Sequence, residues 1–519
     1  MNNTELFLYK KNQSSLPNII NTKLILNEIE SKAIYPLGEK INSQTQKNIE
    51  SRIHQVLCSL NERLLIKELG KYSSFSEYRE ELLSSDWQII FDEYPVANRL
   101  YLQQEKGIVR LISSIIKSFS SDKKNLQKLS ICSPTDYIKD IEWGHGDVHN
   151  GMSTTMVTLS GNKKLIYKPT DGAITKAYHQ FLDWINKHFS LGLGRYKSLN
   201  KNEYHWQEFV ENKECQFKED SSSYYERAGW LLGIVYLLNG RDFHYENLIA
   251  NGENPILIDH ETIIQPKLSS KFCIPDIDLK TEDTVHDSFL LPNDGEHAKF
   301  FPKGMCGFGF HKEIKMSSIQ RKAINEFSND WKMVVRIVKQ EMFKHNIPSH
   351  NDSKLFLNEY LDAFLFGFES SYKFFMNKKE LLLSKKSPLK VFENLQVRYI
   401  WRPTNVYVKI LEYMRLPKNL IDQVAYNEKI KDYLKIAYKR IGNKDQVELV
   451  LKDEISQMLR GDVPYFSINA NSRNLHTEHG VIKGFFEYSC VENVERKLKK
   501  LSLSDLELQK SLIKKSVLE

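Results

Sequence analysis

Side chains suited to binding a metal ion and moving a proton are concentrated between positions 240 and 261. Five of them lie there: Asp242, His244, Asn247, Asp259 and Glu261. The first three share a loop after an apolar segment, and the last two follow a short apolar run. Acceptor atoms therefore converge from two adjacent segments of the chain. This pattern predicts a site for phosphoryl transfer.

The chemistry of ATP explains why these residue types are expected together. Its phosphates are negatively charged, and Mg²⁺, which neutralises them, prefers a few carboxylate or amide oxygens together with phosphate oxygens. Asn247 and Asp259 offer such oxygens. A kinase also needs a group that accepts the proton of the attacking hydroxyl, and this group usually precedes the metal-binding Asn. Asp242, with His244 beside it, has that position.

The order of these residues differs from that of protein kinases. Protein kinases have His-Arg-Asp before the Asn, and their metal loop reads Asp-Phe-Gly. Here the first loop reads Asp-x-His-x-x-Asn from position 242, and the second reads Ile-Asp-x-Glu from position 258. This order resembles the catalytic and metal loops of phosphoinositide 3-kinase-like enzymes. A single Asp or His in a loop is more often a turn former, so the prediction depends on the ordered set.

A glycine-rich segment, 143–151, precedes these loops and carries Asp147 and His149. Glycine lets the backbone approach a ligand closely and adopt positive φ. The alternating run that follows, a Ser-Gly-Asn turn and a second strand-like run predict a β-hairpin that ends in Lys168. In kinases a strand lysine binds phosphate oxygens. The competing interpretation is an ordinary polar hairpin.

Helices and strands are predicted around these loops in the order of a kinase-like fold. Up to about residue 130 the apolar residues have helical spacing, which predicts a helical cap without chemistry. Apolar patterns then predict a helix over 174–189, a strand over 204–210 and a buried helix over 224–238 that leads to the catalytic loop. Glu208 on that strand is a possible partner of Lys168, although a solvated glutamate is the simpler interpretation.

The rest of the chain is predicted to be a long loop followed by helices. The stretch 262–310 has little helical periodicity and several turn signals, as in an activation or substrate loop. From about Ser317 we expect helices, including one over 358–375. We therefore predict an α+β protein with a bilobal kinase-like core. Residues 1–135 form a helical N-terminal cap, 136–275 the nucleotide-binding lobe with the catalytic loops, and 276–519 a mainly helical C-terminal lobe.

The composition is typical of a globular cytoplasmic protein. Of 519 residues, 41% are hydrophobic, and the formal net charge of +7 suits polyphosphate binding without requiring nucleic acid. Six cysteines are scattered without a C-x-x-C pair, which argues against a zinc site or a disulfide framework. The N-terminus lacks the pattern of a signal peptide, and no apolar run is long enough for a membrane span. We expect neither nucleic-acid binding nor membrane insertion.

Together, four motifs resemble the dehydratase domain of class II lanthipeptide synthetases, the LanM family. They are Gly-Asp-x-His at 146–149, Tyr-Lys-Pro at 167–169, Asp-x-His-x-x-Asn at 242–247 and Asp-x-Glu at 259–261. Two further stretches agree with this family: Val-Arg-Tyr-Ile-Trp-Arg-Pro-Thr-Asn-Val-Tyr at 397–407 and Gly-Asp-Val-Pro-Tyr-Phe at 461–466. The resemblance covers nearly the whole chain.

The resemblance implies ATP-dependent dehydration of Ser and Thr in a ribosomal precursor peptide that carries a leader sequence. The hydroxyl would first be phosphorylated, and phosphate would then be eliminated with the α-proton to leave dehydroalanine or dehydrobutyrine. This order is chemically sensible because hydroxide is a poor leaving group and phosphate is a good one.

By motif, the resemblance also implies a role for each site residue. Asp242 and His244 would serve phosphoryl transfer; Lys168, Asp147 and His149 would contact the phosphates; Asn247 and Asp259, with Glu261 nearby, would hold Mg²⁺. Arg398 and Thr404 match the pair that the family requires for elimination. An arginine fork binds phosphate in a bidentate way, and a threonine hydroxyl adds a hydrogen bond. On an extended segment their even separation would put both side chains on one face.

The chain departs from the family in one respect. Full-length LanM proteins continue into a zinc-dependent cyclase domain, which Cys490 alone cannot build. A separate cyclase would then act later, or the dehydro residues would stay open, or the sequence is part of a longer protein. Two other functions remain open: a peptide or small-molecule kinase that stops at the phosphoester, and a leader-binding pseudokinase scaffold.

Overall fold

In the computed structural model, helices form the N-terminal part of the chain. The structure describes residues 18–34, 42–272, 283–292, 303–311, 316–340, 345–438 and 444–519. The first helices are α1 (Thr22–Ile29, followed by a π-helical turn Glu30–Ile34), α2 (Ser43–Leu69), α3 (Phe75–Ser84), α4 (Gln88–Phe91) and α5 (Pro95–Lys128). Side chains of Asn42 and Ser74 cap α2 and α3, and Pro95 begins α5, where its missing N–H has no helical partner. The predicted helical N-terminal region is confirmed.

A five-stranded antiparallel sheet follows these helices. Its strands are β1 (Ile138–His149), β2 (Met152–Leu159), β3 (Lys164–Lys168), β4 (Ser198–Asn200) and β5 (His205–Glu208), in the order β1-β2-β3-β5-β4. Alternate residues of β2 are buried, as its alternating sequence predicts. The glycine-rich segment 143–151 is mainly strand. Most of it belongs to β1, and the turn is limited to Asn150 and Gly151, both at positive φ.

Two helices lead from the sheet to the predicted catalytic loop. α6 (Ala173–Ile185) buries one apolar face, and α7 (Asp220–Leu238) is buried on nearly every face. α7 packs closely on α8 (Leu361–Asn377). Glycine is needed at position 229 for this contact, because a Cβ there would lie 2.1 Å from the carbonyl oxygen of Phe364. α7 ends at Asn239, whose positive φ of 58° turns the chain out of the helix.

A short hairpin makes the two functional loops neighbours. β6 (Leu248–Asn251) pairs with β7 (Asn254–Leu257), and the N–H of Ile258 donates to the carbonyl of Asn247 over 3.0 Å. The predicted catalytic loop therefore enters the hairpin where the predicted metal loop leaves it. Further on, β8 (Lys267–Leu268) pairs with β17 (Phe486–Tyr488).

Residues 316–340 form a β-hairpin, and the prediction of helices from about Ser317 is wrong there. β9 (Met316–Ile324) pairs with β10 (Lys332–Gln340) in antiparallel register. β10 is rich in valine, and β-branched residues favour strands. The turn buries Phe327 and Trp331, whose rings contact aromatic side chains of α2 and α3. This packing anchors the hairpin to the N-terminal helices.

Helices and short paired strands make up the rest of the chain. After α8 the helices are α9 (Lys379–Leu382), α10 (Thr404–Met414), α11 (Gln423–Tyr438), α12 (Lys444–Leu459), α13 (Cys490–Lys500) and α14 (Leu503–Leu518). The strand pairs are β11 (Ser349–His350) with β12 (Ser353–Lys354), β13 (Gln396–Tyr399) with β14 (Phe466–Asn469), and β15 (Leu475–Thr477) with β16 (Gly480–Ile482). Buried apolar side chains of the helices and the sheet form one continuous core.

These elements confirm the predicted α+β class with helical N- and C-terminal regions. The helix expected over 358–375 is present as α8. Within the described ranges, no helix combines the length and the apolar character needed to cross a membrane.

Candidate active site

One large cavity gathers the residues that the sequence predicts for chemistry. Its volume is about 1120 Å³, and the five-stranded sheet, the 240–261 segment and the residues after β13 contribute to its walls. The predicted site residues that line it are Asp147, His149, Lys168, Asp242, His244, Asn247, Asp259, Glu261, Arg398 and Thr404. The structure therefore brings the whole predicted set together, although its parts are far apart in sequence.

Asp242 lies in a loop that the side chain of Asn247 stabilises. The side-chain amide of Asn247 donates to the Asp242 carbonyl over 2.7 Å. Asp242 has a φ of 67°, in the left-handed region where aspartate is enriched among non-glycine residues. Burial raises the pKa of the Asp242 carboxyl, and His244 and Arg398 offset part of this effect. A carboxylate with a raised pKa is a stronger proton acceptor.

His244 begins the 3₁₀ turn Tyr245–Asn247 and caps it. Its Nδ1 accepts the N–H of Glu246 over 3.3 Å, so the neutral ring carries its proton on Nε2. The ring therefore offers an N–H donor rather than a lone pair at Nε2. Such a donor suits a phosphate oxygen.

Lys168 and Asp259 form an ion pair across the cavity. Lys168 Nζ lies 3.3 Å from Asp259 Oδ2 and donates to the Ile258 carbonyl over 3.3 Å. Burial by itself would raise the pKa of Asp259, but Lys168 and the N–H of Glu261 outweigh burial and hold that pKa at about 2. Asp259 is thus ionised at neutral pH. Glu208 is not the partner of Lys168 and accepts a backbone N–H over 3.1 Å instead.

The oxygens of the two loops are of the types that Mg²⁺ prefers. Asn247 uses its NH₂ group on the Asp242 carbonyl, which leaves its side-chain oxygen for an ion. Burial and the charge of Asp259 raise the pKa of Glu261, because neighbouring carboxylates repel each other, and Arg398 and Lys168 offset part of this effect. Bound Mg²⁺ would relieve this repulsion. A few hard oxygens completed by phosphate oxygens are the ligands that this ion prefers.

A tighter group of acidic and histidine side chains borders the same cavity. Ligand atoms of Asp453, Glu478 and His479 lie within 4.8 Å of one another. Arg460 already holds Glu478 at 2.8 Å, and the hydroxyl of Ser456 lies 2.8 Å from Nε2 of His479. These partners satisfy two members of the group, and we assign no ion to it.

Arg398 connects the glycine-rich strand with the predicted metal loop. Its guanidinium lies 3.0 Å from Asp147 Oδ2 and 3.6 Å from Glu261 Oε2, and only 13% of its side chain is exposed. Its backbone N–H donates to the Glu261 carbonyl over 3.0 Å, which fixes β13 beside the metal loop. Burial by itself would lower the pKa of Arg398, but the two carboxylates outweigh burial and raise it. The cavity therefore contains a permanent, anchored cation.

Thr404 reaches the cavity by a different route from the predicted one. The prediction of one extended segment from Arg398 to Thr404 is wrong, because β13 ends soon after Arg398 and Thr404 is the first residue of α10. Pro403, with its restricted φ, makes the turn into the helix. Arg402 anchors this turn, because its Nε and Nη2 donate hydrogen bonds to the Glu454 carboxylate over 2.5 Å and 3.1 Å.

The sequence did not single out Tyr465, which lines the cavity beside two predicted residues. Its ring centroid lies 4.9 Å from the ring of His149 and 5.3 Å from Cζ of Arg398. Burial, with the charge of Arg398 adding to it, lowers the pKa of His149 to about 4, so this ring is neutral at neutral pH. The signal in the sequence was the stretch 461–466, which matched the family pattern without an assigned role.

The fold and the site define a class of mixed α+β proteins in which a lysine–aspartate pair and a buried arginine share one large charged cavity. The chain belongs to the family described as "Domain of unknown function (DUF4135)", whose model matches residues 94–469. It is also similar to the lacticin 481/lactococcin biosynthesis protein LcnDR2 of Lactococcus lactis subsp. lactis, with 29% identity over 473 residues. The resemblance to the dehydratase domain of class II lanthipeptide synthetases is thus confirmed.

The alignment with LcnDR2 covers 86% of this chain and 48% of the relative. The chain therefore spans about half the length of the curated relative that it matches.

Proposed function

We propose that this chain dehydrates Ser and Thr residues of a lanthipeptide-type precursor peptide in two steps that share one cavity. ATP phosphorylates the hydroxyl, and phosphate is then eliminated to leave dehydroalanine or dehydrobutyrine. The observation that carries the proposal is the position of Arg398, which pairs with Asp147 and Glu261 in the cavity that also contains the Lys168–Asp259 pair. A buried cation suited to phosphate thus lies next to residues suited to phosphoryl transfer.

In the first step, the oxygen of the substrate hydroxyl would attack the γ-phosphorus of ATP, and Asp242 would accept the proton of that hydroxyl. The raised pKa of Asp242 supports this role. Lys168 and His244 would contact phosphate oxygens, and the bond between the γ-phosphorus and ADP breaks. Asn247 and Asp259, with Glu261 nearby, would hold Mg²⁺, which neutralises charge on the nucleotide.

In the second step, a base removes the α-proton of the phosphorylated residue. The electrons of that C–H bond form the Cα–Cβ double bond, and the Cβ–O bond breaks so that phosphate leaves with its electron pair. Arg398 would bind the departing phosphate through its fork, and Thr404 would add a hydrogen bond. Asp147 and Glu261 support this role because they keep the guanidinium in place within a buried site.

The partner in this reaction would be a precursor peptide with a leader sequence, and the compartment would be the cytoplasm, which supplies ATP. The printed name of the relative refers to biosynthesis of lacticin 481 and lactococcin, which supports a peptide substrate. A cyclase site outside the present sequence would be needed to close thioether rings.

Mass spectrometry tests both steps in one experiment. The chain is incubated with ATP, Mg²⁺ and a leader-bearing precursor peptide, and each modified residue should lose one water. A parallel reaction without ATP, on the same peptide synthesised with phosphoserine, should convert phosphoserine to dehydroalanine. This second reaction isolates elimination from phosphoryl transfer.

The other outcomes identify the alternatives. Gain of phosphate without loss of water would indicate a kinase that stops at the phosphoester. No mass change in either reaction would favour a leader-binding scaffold. Loss of water from the unphosphorylated peptide in the absence of ATP would contradict the two-step route.

A further inference from the structure

Tyr465 contacts two residues of the cavity that belong to different parts of the chain. Its ring lies 4.9 Å from the ring of His149 on β1, at an interplanar angle of 60°, and 5.3 Å from Cζ of Arg398 on β13. Tyr465 is only partly buried and lines the cavity itself. Its ring therefore forms wall surface at the point where β1 and β13 meet, and is not simply part of the apolar core.

The backbone of Tyr465 is fixed by one side chain of α12. The N–H of Tyr465 donates to Oε1 of Gln457 over 2.8 Å, and its carbonyl accepts from Nε2 of the same residue over 3.2 Å. Gln457 is buried. β14 begins at the next residue, Phe466, which pairs with Tyr399 of β13. Both flanks of Tyr465 are thus held, so the ring has a defined position.

The residues just before Tyr465 hold His149, the last residue of β1, and the turn that follows it. The carbonyl of Val463 accepts Nδ1–H of His149 over 2.8 Å, and the N–H of Val463 donates to the Val148 carbonyl over 3.1 Å. Oδ1 of Asp462 accepts the N–H of Gly151 over 2.9 Å. Since a carbonyl only accepts, the proton of neutral His149 lies on Nδ1, and Nε2 presents a lone pair.

The guanidinium of Arg398 is surrounded in a way that leaves it little freedom. Its two terminal nitrogens face Asp147 and Glu261, and the ring of Tyr465 lies over the group. The two carboxylates hold the terminal nitrogens of the guanidinium, and the Tyr465 ring limits tilting of the guanidinium plane. A planar fork binds phosphate well only when its orientation is fixed.

We propose that Tyr465 is a positioning residue for phosphate elimination, whose ring packs on His149 and orients the Arg398 guanidinium toward the leaving phosphate. This inference rests on the proposed function and assigns the ring, not the hydroxyl. Burial, together with the charge of Glu261, raises the pKa of Tyr465, so its hydroxyl stays protonated and does not act as a base. The 461–466 stretch thereby receives a role: it joins the turn after β1 to the arginine of β13.

Three variants test the proposal in the precursor-peptide reaction with ATP and Mg²⁺. Tyr465→Leu should slow elimination about 10-fold, the effect expected from loss of a partly desolvated cation–π contact, and phosphopeptide should accumulate. Tyr465→Phe keeps the ring and should give the wild-type ratio of dehydrated to phosphorylated product. Tyr488→Leu is the matched control, because Tyr488 also lies under two arginine groups, at 5.8 and 5.7 Å, but does not line the cavity. It should also give the wild-type ratio.

Titration with inorganic phosphate gives a readout that needs no turnover. Calorimetry should show weaker phosphate binding by Tyr465→Leu than by the wild type, with Tyr465→Phe unchanged. Equal phosphate binding by the wild type, Tyr465→Leu and Tyr465→Phe would overturn the proposal. Accumulation of phosphopeptide by Tyr465→Phe to the same extent as by Tyr465→Leu would also overturn it. A wild type that dehydrates nothing would refute the proposed function, and the phosphate titration would still decide the role of Tyr465.

Discussion

The cavity has two walls that the chain builds in different ways. The transfer wall, named after its role in the proposed function, contains Lys168 and the loops that carry Asp242, Asn247, Asp259 and Glu261. Apart from Lys168, its residues lie close in sequence, and contacts such as Asn247 to Asp242, five positions apart, hold it together. Local backbone geometry thus accounts for most of this wall.

The elimination wall, likewise named after the proposed function, contains Arg398, Thr404 and Tyr465, and contacts between residues far apart in sequence assemble it. Arg398 meets Asp147 across 251 positions, and His149 meets the Val463 carbonyl across 314. Its ties are largely buried ion pairs and side-chain contacts. The comparison shows that one cavity can combine a wall with strong local signals and a wall that depends on the whole fold.

The largest expected effect is on the transfer wall. Asp242→Asn keeps the shape and tolerates the left-handed φ, but it removes the proton acceptor and should slow phosphorylation about 1,000-fold. Phosphorylated and dehydrated products should disappear together in the mass-spectrometric assay. Asp432→Asn, at an exposed position of α11, should be fully active. Normal phosphorylation by Asp242→Asn would remove Asp242 from the first step.

A change in the elimination wall should separate the two steps. Arg398→Lys keeps a positive charge between Asp147 and Glu261 but loses the fork, so elimination should slow about 100-fold while phosphorylation stays close to the wild-type rate. Accumulated phosphopeptide is the readout. Arg473→Lys is the control, because Arg473 pairs with Glu492 at 2.7 Å and neither residue lines the cavity. This variant should have the wild-type product ratio. Dehydration at the wild-type rate by Arg398→Lys would contradict the assignment.

Stability should reveal how much the elimination wall depends on buried charge. Glu454 is fully buried and accepts hydrogen bonds from Arg402, Tyr407 and Tyr438, so Glu454→Gln should lower the free energy of unfolding by about 3 kcal/mol in urea titrations. Elimination should suffer more than phosphorylation, because Arg402 anchors the turn before Thr404.

The matched control for this change lies on the same helix. Glu448 forms an exposed ion pair with Lys452 at 3.2 Å, and Glu448→Gln should change the free energy of unfolding by less than about 0.5 kcal/mol. Equal losses for the two variants would mean that the buried network does not support this wall.

The smallest expected effect concerns a buried histidine that belongs to neither wall. Burial lowers the pKa of His54 to about 4, and its Nε2 accepts the N–H of Ile19 over 3.1 Å. Below its unfolded pKa of about 6.5 the unfolded chain binds a proton first, so stability falls as the pH drops from there toward 4. At about pH 5.5 the loss of unfolding free energy caused by His54 is about 1.4 kcal/mol.

The measurement compares the free energy of unfolding of the wild type and of His54→Gln at pH 7.5 and pH 5.5. Between pH 7.5 and pH 5.5 the variant should lose less free energy of unfolding than the wild type, by the amount that His54 contributes. The ratio of dehydrated to phosphorylated product should be the same for both proteins. The same pH dependence in both proteins would show that His54 titrates as it does in the unfolded chain.

The two walls also explain which predictions succeeded. The grouping of Asp242 with Asn247, and the hairpin that ends in Lys168, follow from short spacings and alternation. The expected extended segment through Thr404 was wrong because Pro403 and the Arg402–Glu454 pair turn the chain into a helix, and Glu454 lies 52 positions away. Helices were likewise wrongly expected from about Ser317, where burial of Phe327 and Trp331 against the N-terminal helices fixes a hairpin. The domain boundaries at 135 and 275 stay predictions.

The sequence by itself determined the residue types of the site, the two neighbouring functional loops and the α+β class, because local spacing and apolar periodicity act within a few residues. Only the tertiary structure decided that Arg398 lies between Asp147 and Glu261 and that Tyr465 packs on Arg398 and His149. The physical reason is range: a pairing across hundreds of positions has no local pattern, and it forms when the core brings strands and helices together.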